Sequence, residues 1–294
     1  MEIKRYLKSI LIIEKRIIAI IGAGGTAGNK VSEKLSLVGN YDLRLCEKGE
    51  GIAKLKRMGL TPTDVERAVP ESDVVIMTVQ DSKIKEVTMN VVPMMKEGAT
   101  MILLDPAAAY LREVTLRDDC SFVIAHPCHP PLFGKQETAE AYNDFFGGIA
   151  KQDIVIALLH GNEEDFKAAE KICMDGFAPV ARCHRITVDQ MAILEPIAAE
   201  VVAGSAAALM KEAFEEAVRL GVPEEAARAF MLGHMSIILA IFFGRTEHKI
   251  SEAAIAAIRY GRGRIFKDDW QEIFKDWEMR KIIHDILHDK DKPT

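Results

Sequence analysis

Short runs of β-branched residues alternate with helical stretches between Arg16 and about Ala157. Apolar runs separated by helical patterns are typical of a parallel sheet whose strands are joined by crossover helices. The first predicted helix is Thr26–Val38. The predicted strands are Ile17–Ile21, Leu43–Cys46, Asp73–Val79, Met101–Leu104, Phe122–Ala125 and Ile154–Leu158. The pattern therefore predicts an α/β fold with a doubly wound parallel sheet of the Rossmann type.

The pattern becomes helical after Val188. Gln190–Leu220 is rich in alanine, and Glu224–Phe243 is apolar on nearly every face. A helix that is apolar all round is expected to be buried, either in a helical bundle or in a subunit interface. The chain is therefore predicted to consist of two domains, 1–188 and 189–294, of which the second is all-helical.

Composition and charge narrow the class of protein. A chain of 294 residues has room for two domains, each with its own core. The formal net charge of −6 argues against nucleic acid as a partner, because no basic face offsets phosphate repulsion. The five cysteines show no CxxC spacing, and the longest apolar run, Ile237–Phe243, is too short to span a bilayer. We expect a protein of the reducing cytoplasm without a membrane partner.

A glycine-rich turn follows the first predicted strand directly. Gly22 permits a tight turn, Gly24 lets the backbone approach a pyrophosphate, and the next helix directs its free N–H groups at that anion. The spacing is G-x-G-x-x-x-G, and with Ala27 in third place it also fits G-x-G-x-x-A. The residues predicted to bind a dinucleotide are Gly22, Ala23, Gly24, Gly25, Thr26, Ala27 and Gly28.

An acidic residue, Glu47, ends the second predicted strand. A carboxylate there accepts hydrogen bonds from the ribose hydroxyls and repels a 2′-phosphate, which favours NAD over NADP. The neighbouring Lys48 keeps NADP open as an alternative. Asp81 follows a later strand at the same edge of the sheet and is expected to line the cofactor.

Two histidines, His126 and His129, each precede a proline just after the predicted strand Phe122–Ala125. Proline pushes the residue before it into β or polyproline II conformation. Polyproline II geometry places the two side chains on one side, roughly 9 Å apart at ~3.1 Å per residue, too far to chelate one ion side by side. We expect His126 to act catalytically, assisting proton transfer or binding the substrate, with His129 supporting or flanking it.

Glu195, near the start of the long helical stretch, is the third candidate catalytic residue. It would act as a general base or metal ligand facing His126, although a carboxylate there could also complement the helix dipole. His126 and Glu195 would suit Zn²⁺ or another divalent metal, but no spaced motif demands an ion. The candidates for binding the carboxylate of a small anionic substrate are Lys135, Arg245, Arg259, Arg262 and Arg264, of which the last three could equally make subunit contacts.

The segment 212–227 resembles the matching helix pair of the 6-phosphogluconate dehydrogenase-like superfamily. That resemblance implies a dinucleotide-binding domain followed by a helical substrate domain that commonly forms homodimers. More narrowly, Ala125–Pro131 and Glu195–Pro196 look like the D-apionate oxidoisomerase branch. This narrower resemblance implies NAD-linked oxidation of a branched sugar acid, with rearrangement of its carbon skeleton to a 3-oxo acid.

One departure from the superfamily concerns a lysine. β-Hydroxyacid dehydrogenases carry a catalytic lysine early in the long helix, whereas here Glu195 and Glu200 hold the early positions and the first lysine is Lys211. Three functions stay open: an NAD-dependent oxidoreductase that oxidises a polyhydroxy acid with or without isomerisation, a metal-free prephenate- or hydroxyacid-type dehydrogenase, and a nucleotide-binding protein without catalysis.

Overall fold

The structure is a computed structural model and describes residues 15–288. These residues form two units, each described by itself below. The first unit comprises 15–131 and Gln136–Met191, and the second comprises Leu132–Lys135 and 192–288. The predicted domain boundary at residue 188 falls a few residues before the first unit ends. The short segment Leu132–Lys135 belongs with the helical unit, which the hydrophobic pattern did not indicate.

Within the described residues, the first unit contains a seven-stranded sheet with the order β2-β1-β3-β4-β5-β6-β7. The strands are β1 (Arg16–Ile21), β2 (Tyr41–Cys46), β3 (Val74–Met77), β4 (Thr100–Leu103), β5 (Ser121–Pro127), β6 (Gln152–His160) and β7 (Val180–Arg185). Neighbouring strands from β2 to β5 in this order are parallel, which confirms the predicted Rossmann-type fold. Their carboxyl ends therefore share one edge, where sheets of this kind bind ligands.

The last two strands differ from the uniformly parallel prediction. β6 pairs antiparallel with β5, and β7 is parallel to β6. The connection between β5 and β6 contains only the four-residue helix Ala139–Tyr142, so it does not make a helical crossover and the chain returns in the opposite direction. β7 was missed because this edge strand, Val-Ala-Arg-Cys-His-Arg, is largely exposed and carries no apolar run.

Helices cover both faces of this sheet and pack on its apolar residues. The helices of the first unit are α1 (Thr26–Val38), α2 (Glu50–Arg57), α3 (Val65–Glu71), α4 (Ile84–Val91), α5 (Ala107–Tyr110), α6 (Ala139–Tyr142) and α7 (Glu163–Gly176), with 3₁₀ turns at Asp81–Lys83 and Val92–Met94. Val31 and Leu35 of α1 share one apolar cluster with Phe166 and Ile172 of α7. α1 ends at Gly39, whose φ of 74° is the left-handed conformation that favours glycine.

The second unit is helical, as predicted. The first unit ends within α8 (Val188–Ala192), at Met191. The helical segments that follow are the π-helical winding Ile193–Gly204, α9 (Ser205–Arg219), α10 (Glu224–Phe242), α11 (Glu252–Ile265), the 3₁₀ turn Trp270–Phe274 and α12 (Asp276–His288). Pro196 lies inside the π-helical winding. Proline has no N–H and clashes with the carbonyl of an ordinary α-helical turn, which fits a local change of winding.

Most of the apolar surface of α10 is exposed. Among its residues only Ala227 is buried, whereas Phe230, Leu232 and Phe242 are 66%, 59% and 60% exposed. The prediction that this helix is buried in a bundle of its own chain is wrong, and the predicted alternative, a subunit interface, stays open. The helical stretches Val188–Arg219 and α10 are also long and apolar enough to cross a membrane, by length and composition alone.

Candidate active site

The glycine turn between β1 and α1 is tied to the end of β2. Gly22 has a φ of 88°, and its N–H donates to the carbonyl of Cys46 at 3.0 Å, as does the N–H of Ala23 at 3.2 Å. A Cβ on Gly28 would lie 2.3 Å from the carbonyl oxygen of Gly22. Helix α1 can therefore pack directly on the turn only because Gly28 has no side chain.

This packing gives the start of α1 the donors that a pyrophosphate needs. The N–H groups of the first helical turn, which begins at Thr26, have no intrahelical carbonyl to bind. They lie at the carboxyl edge of the sheet, and the positive end of the helix dipole favours an anion there. The turn therefore fits a dinucleotide.

Glu47 lies against this turn, and its side chain is folded back onto the backbone. Its carboxylate accepts hydrogen bonds from the N–H of Gly24 at 2.7 Å and from the N–H of Lys48 at 3.0 Å. A Cβ on Gly24 would lie 3.1 Å from this carboxylate, and one on Gly51 would lie 2.3 Å from it. Gly24 thus makes room for Glu47 as well as for a phosphate. Gly51, at the start of α2, leaves room for the Glu47 carboxylate on its other side. This glycine was not identified from the sequence.

A cleft of about 170 Å³ adjoins Glu47. Val65, Val79 and Val87 contribute apolar side chains to its lining, which also includes Glu47 and the turn residue Gly22. Such a cleft suits the flat, apolar base of a nucleotide whose ribose faces the carboxylate. Asp81, predicted to line the cofactor, begins the 3₁₀ turn after β3 and is exposed at the same edge of the sheet. Its role stays a prediction.

His126 lies near the end of β5, half-buried, in the strand conformation that its following proline predicts. Its ring Nδ1 is 2.7 Å from the carbonyl oxygen of Leu104, directly after β4. A carbonyl oxygen can only accept, so Nδ1 carries the proton and Nε2 keeps a lone pair. Burial lowers the pKa of His126, and this outweighs the opposing effect of the Leu104 carbonyl. The neutral imidazole is therefore a base with one available nitrogen.

His129 differs from its prediction. Its φ is 60°, in the left-handed region, rather than β or polyproline II. The chain turns at this residue, and the rings of His126 and His129 lie edge to face with centroids 6.3 Å apart, closer than the extended geometry predicted. Contacts from a distant loop hold this conformation: Nδ1–H of His129 donates to the carbonyl of Phe146 at 3.2 Å. The local rule for a residue before proline is overridden by these tertiary contacts.

The predicted metal site is not supported. Between residues 15 and 288, no three His, Cys, Asp or Glu side chains are grouped so that they could hold an ion. Glu195 belongs to the second unit, where it lies in the π-helical winding just before Pro196, and its catalytic role stays a prediction. In the same unit Arg245 donates to the carbonyl of Phe133 at 3.3 Å, which brings this candidate cation beside the segment that carries Lys135.

Comparisons with known proteins agree with this architecture. The family described as "Phosphogluconate dehydrogenase (decarboxylating) C-term" matches residues 134–287, more than half of the chain. The "Acetohydroxy acid isomeroreductase, NADPH-binding domain" family matches residues 12–142. The two matches overlap at residues 134–142, between β5 and β6. The C-terminal match therefore includes β6 and β7 of the sheet and begins well before the boundary at residue 188 that the hydrophobic pattern predicts.

Similar proteins extend over nearly the whole chain. The D-apionate oxidoisomerase of Blautia hydrogenotrophica is 40% identical over 95% of this chain and 99% of its own length. That of Cupriavidus necator is 39% identical over 92% and 99%. A solved structure described as a semialdehyde dehydrogenase NAD-binding protein from Cupriavidus necator, in complex with calcium and NAD, has a TM-score of 0.89 and 39% identity over 92% of this chain and 99% of its own. The chain therefore belongs to the D-apionate oxidoisomerase family, within the 6-phosphogluconate dehydrogenase-like superfamily.

Proposed function

We propose that the protein is an NAD-dependent oxidoisomerase of D-apionate or of a closely similar branched sugar acid. The observation that carries this proposal is His126, a neutral imidazole with an available Nε2 at the same sheet edge as a dinucleotide turn. The 40% identity with a D-apionate oxidoisomerase over 95% of the chain supports the substrate class.

In the oxidation step the substrate loses a hydride and a proton. The hydride leaves the carbinol carbon for the nicotinamide ring, which is the chemistry that the cofactor supplies when bound. The hydroxyl proton passes to Nε2 of His126, because Nδ1 is committed to the carbonyl of Leu104. That carbonyl also stabilises the imidazolium that forms, since Nδ1–H then donates a charge-assisted hydrogen bond.

The isomerisation step needs no second oxidant. A carbon substituent moves with its bonding electrons onto the new carbonyl carbon, and the π electrons of that carbonyl move to its oxygen. The neighbouring hydroxyl becomes the next carbonyl, and the proton it loses is taken up by the former carbonyl oxygen. We assign the handling of this proton to His129 and Glu195, the two other candidate catalytic residues. His129 has the supporting geometry of an Nδ1–H held by a backbone carbonyl, which leaves its Nε2 available as well. No step is assigned to a metal ion.

We propose NAD rather than NADP as the cofactor. The carboxylate of Glu47 is fixed at the turn by two backbone N–H groups, where a ribose 2′-phosphate would meet its charge. The solved relative from Cupriavidus necator contains NAD, although the matching isomeroreductase domain family is described as NADPH-binding.

We also propose that the helical unit forms a homodimer. A single chain leaves Phe230, Leu232 and Phe242 of α10 largely exposed, and exposed apolar patches of this kind mark interaction surfaces. A bilayer is a poorer partner, because Arg228 lies within α10 and Glu195 and other charged residues lie within Val188–Arg219. Each charge in the hydrocarbon core would cost about 2.5–3.5 kcal/mol. This argument favours a protein in solution, and the five cysteines without CxxC spacing support our proposal that the compartment is the reducing cytoplasm.

Turnover of D-apionate with NAD tests the proposed reaction. We expect NADH to form with D-apionate, to form much more slowly with NADP in place of NAD, and the ¹³C connectivity of the product to show a rearranged skeleton. An unrearranged oxo acid would instead identify a plain dehydrogenase. NAD binding without NADH formation on any C4–C6 sugar acid would identify a binding protein, and either result would overturn the proposal.

Leu232→Glu tests the dimer. We expect it to raise the dimer dissociation constant at least about tenfold, because a carboxylate would be buried in the interface without a partner. Analytical ultracentrifugation at micromolar concentration measures this constant. Leu37→Glu on α1 is the matched control, since Leu37 is 75% exposed in the first unit. A monomeric wild-type protein, or wild-type protein that floats with lipid vesicles, would contradict the proposed dimer.

A further inference from the structure

His129 holds a backbone conformation that a non-glycine residue adopts at a cost of about 1 kcal/mol or more. Its φ is 60°, and the residue that follows is Pro130. Strained residues of this kind persist only where the surroundings determine them, and they cluster at functional sites. Besides the ring of His126, the contacts of His129 come from one loop, residues 144–150, which we call the 146 loop. The carbonyl of Phe146 accepts from Nδ1–H of His129 at 3.2 Å, and the two ring centroids lie 5.2 Å apart.

Phe146 is not a core residue. Its side chain is 56% exposed, so burial of apolar surface does not explain its position. Its ring contacts His129 and also the ammonium group of Lys30, whose Nζ lies 4.1 Å from the ring centroid. A cation–π contact at an exposed site contributes about 0.5–1 kcal/mol. The ring is therefore held by a cation of helix α1 and in turn contacts the imidazole.

The 146 loop is fixed from within by one carboxylate. Asp144 accepts hydrogen bonds from the N–H groups of Gly147 at 3.0 Å, Ile149 at 2.8 Å and Ala150 at 3.0 Å. Although burial acts to raise the pKa of Asp144, these three donors hold it below its ordinary value. Asp144 therefore stays ionised at neutral pH and keeps the loop in one shape.

Helix α1 binds the 146 loop through two lysines that are four residues apart and hence on one face of the helix. Lys30 donates to the carbonyl of Gly147 at 2.7 Å, and Lys34 donates to the carbonyl of Gly148 at 2.5 Å. Gly147 has a φ of 87°, a left-handed conformation that favours glycine. The contacts join segments more than a hundred residues apart in sequence.

We propose that Lys30 and Phe146 are positioning residues that set the tautomer and orientation of His129. One helix, α1, would then present its first-turn N–H groups to the dinucleotide and, one turn later, hold the loop that fixes His129. Nδ1 of His129 is then committed to the carbonyl of Phe146, and Nε2 is the nitrogen that faces away from the 146 loop. The inference rests on the proposed function only in that His129 acts on the substrate; the tautomer itself does not depend on any substrate.

The tautomer can be read directly by ¹⁵N NMR of the imidazole rings in the full-length protein with NAD bound. His129→Gln identifies the signals of His129 by their loss. We expect neutral His129 to carry its proton on Nδ1 in the wild type, and the Nε2–H form to appear in Lys30→Met and in Phe146→Leu. Lys30→Arg keeps a cation over the ring and should restore the Nδ1–H form. Because two independent variants are used, failure of one to fold leaves the other to decide.

Kinetics with the sugar acid separate positioning from binding. We expect Lys30→Met to lower kcat about 10- to 100-fold, because a small misplacement of a reacting group has an effect of this size. KM for NAD should stay nearly unchanged, and Lys30→Arg should recover most of kcat. Lys171→Met, which removes an exposed lysine paired with Asp175, is the control and should match the wild type. An unchanged His129 tautomer in both Lys30→Met and Phe146→Leu would overturn the inference, whether or not the wild type oxidises a sugar acid.

Discussion

His126→Gln should lower kcat for NADH formation by about 10²- to 10⁴-fold, the range of a lost general base. Glutamine is similar in size to histidine and uncharged, so the variant loses the basic nitrogen without leaving a large cavity beside Leu104. Steady-state kinetics with D-apionate and NAD measure the effect. The affinity for NADH should stay close to that of the wild type, because the dinucleotide turn is untouched.

His160→Gln is the matched control, since His160 ends β6 at the other end of the strand pairing, opposite Phe122. Within residues 15–288, the only aromatic ring that the His160 ring contacts is that of Phe122. Because His160 lies away from the carboxyl edge of β5, we expect normal turnover. Equal losses in His160→Gln and His126→Gln would point to general destabilisation. Full activity in His126→Gln would remove His126 from the proposed proton transfer.

The pH dependence of kcat/KM provides an independent test of His126 as the general base. Burial lowers the pKa of His126 from its ordinary 6.5, so the ring stays neutral, and able to accept a proton, at pH values where a free histidine is half charged. We expect kcat/KM of the wild type to fall with acid only below pH 6.5. His126→Gln should lose this acidic limb. A limb that persists unchanged in the variant would belong to another group.

The core of the first unit could be predicted because its strands are apolar over their whole length. Ile18, Ile20 and Phe122 are fully buried, and both faces of their strands are covered, so each run is visible without an alternating pattern. β7 lies at the edge of the sheet, and most of its residues are exposed. Because it has no apolar run, no local signal in the sequence distinguished it from a loop. The direction of β6 depended on the length of the helix before it, which hydrophobic patterning does not report.

The candidate site was predictable only as far as it is local in sequence. The glycine turn and His126 follow strands that the pattern itself located, so their place at the carboxyl edge followed from the fold. Gly51 acts through contact with the side chain of Glu47, and Lys30 through a carbonyl 117 residues away. Residues that act through contacts distant in sequence cannot be recognised from a local pattern in a single sequence. His129 shows the same limit, because tertiary contacts overrule its local preference before proline.

Gly28→Ala is the second change expected to have a large effect. Its new Cβ would lie 2.3 Å from the carbonyl oxygen of Gly22, 2.6 Å from Oγ1 of Thr78 and 2.8 Å from Cα of Ala23. Two of these atoms are backbone, so α1 or the turn must move. We expect a loss of about 1–3 kcal/mol in the free energy of unfolding, as for other overpacked sites. NADH affinity should fall about tenfold or more, equal to at least about 1.4 kcal/mol, because the pyrophosphate donors start from this helix.

A graded series makes this prediction specific to the turn. A Cβ on Gly25 would lie 3.2 Å from the carbonyl oxygen of Gly22, a contact that a shift of a few tenths of an ångström relieves, so Gly25→Ala should have a smaller effect. Gly263 in α11 has nothing within 4 Å of its Cβ position, and Gly263→Ala should leave NADH binding unchanged. It should also stabilise its helix by up to about 1 kcal/mol. NADH affinity, measured by fluorescence titration, should therefore be lowest in Gly28→Ala, intermediate in Gly25→Ala and highest in Gly263→Ala. The midpoint temperature of thermal unfolding should follow the same order. If Gly28→Ala binds NADH as tightly as Gly263→Ala does, α1 does not bind the dinucleotide through this close packing on the turn.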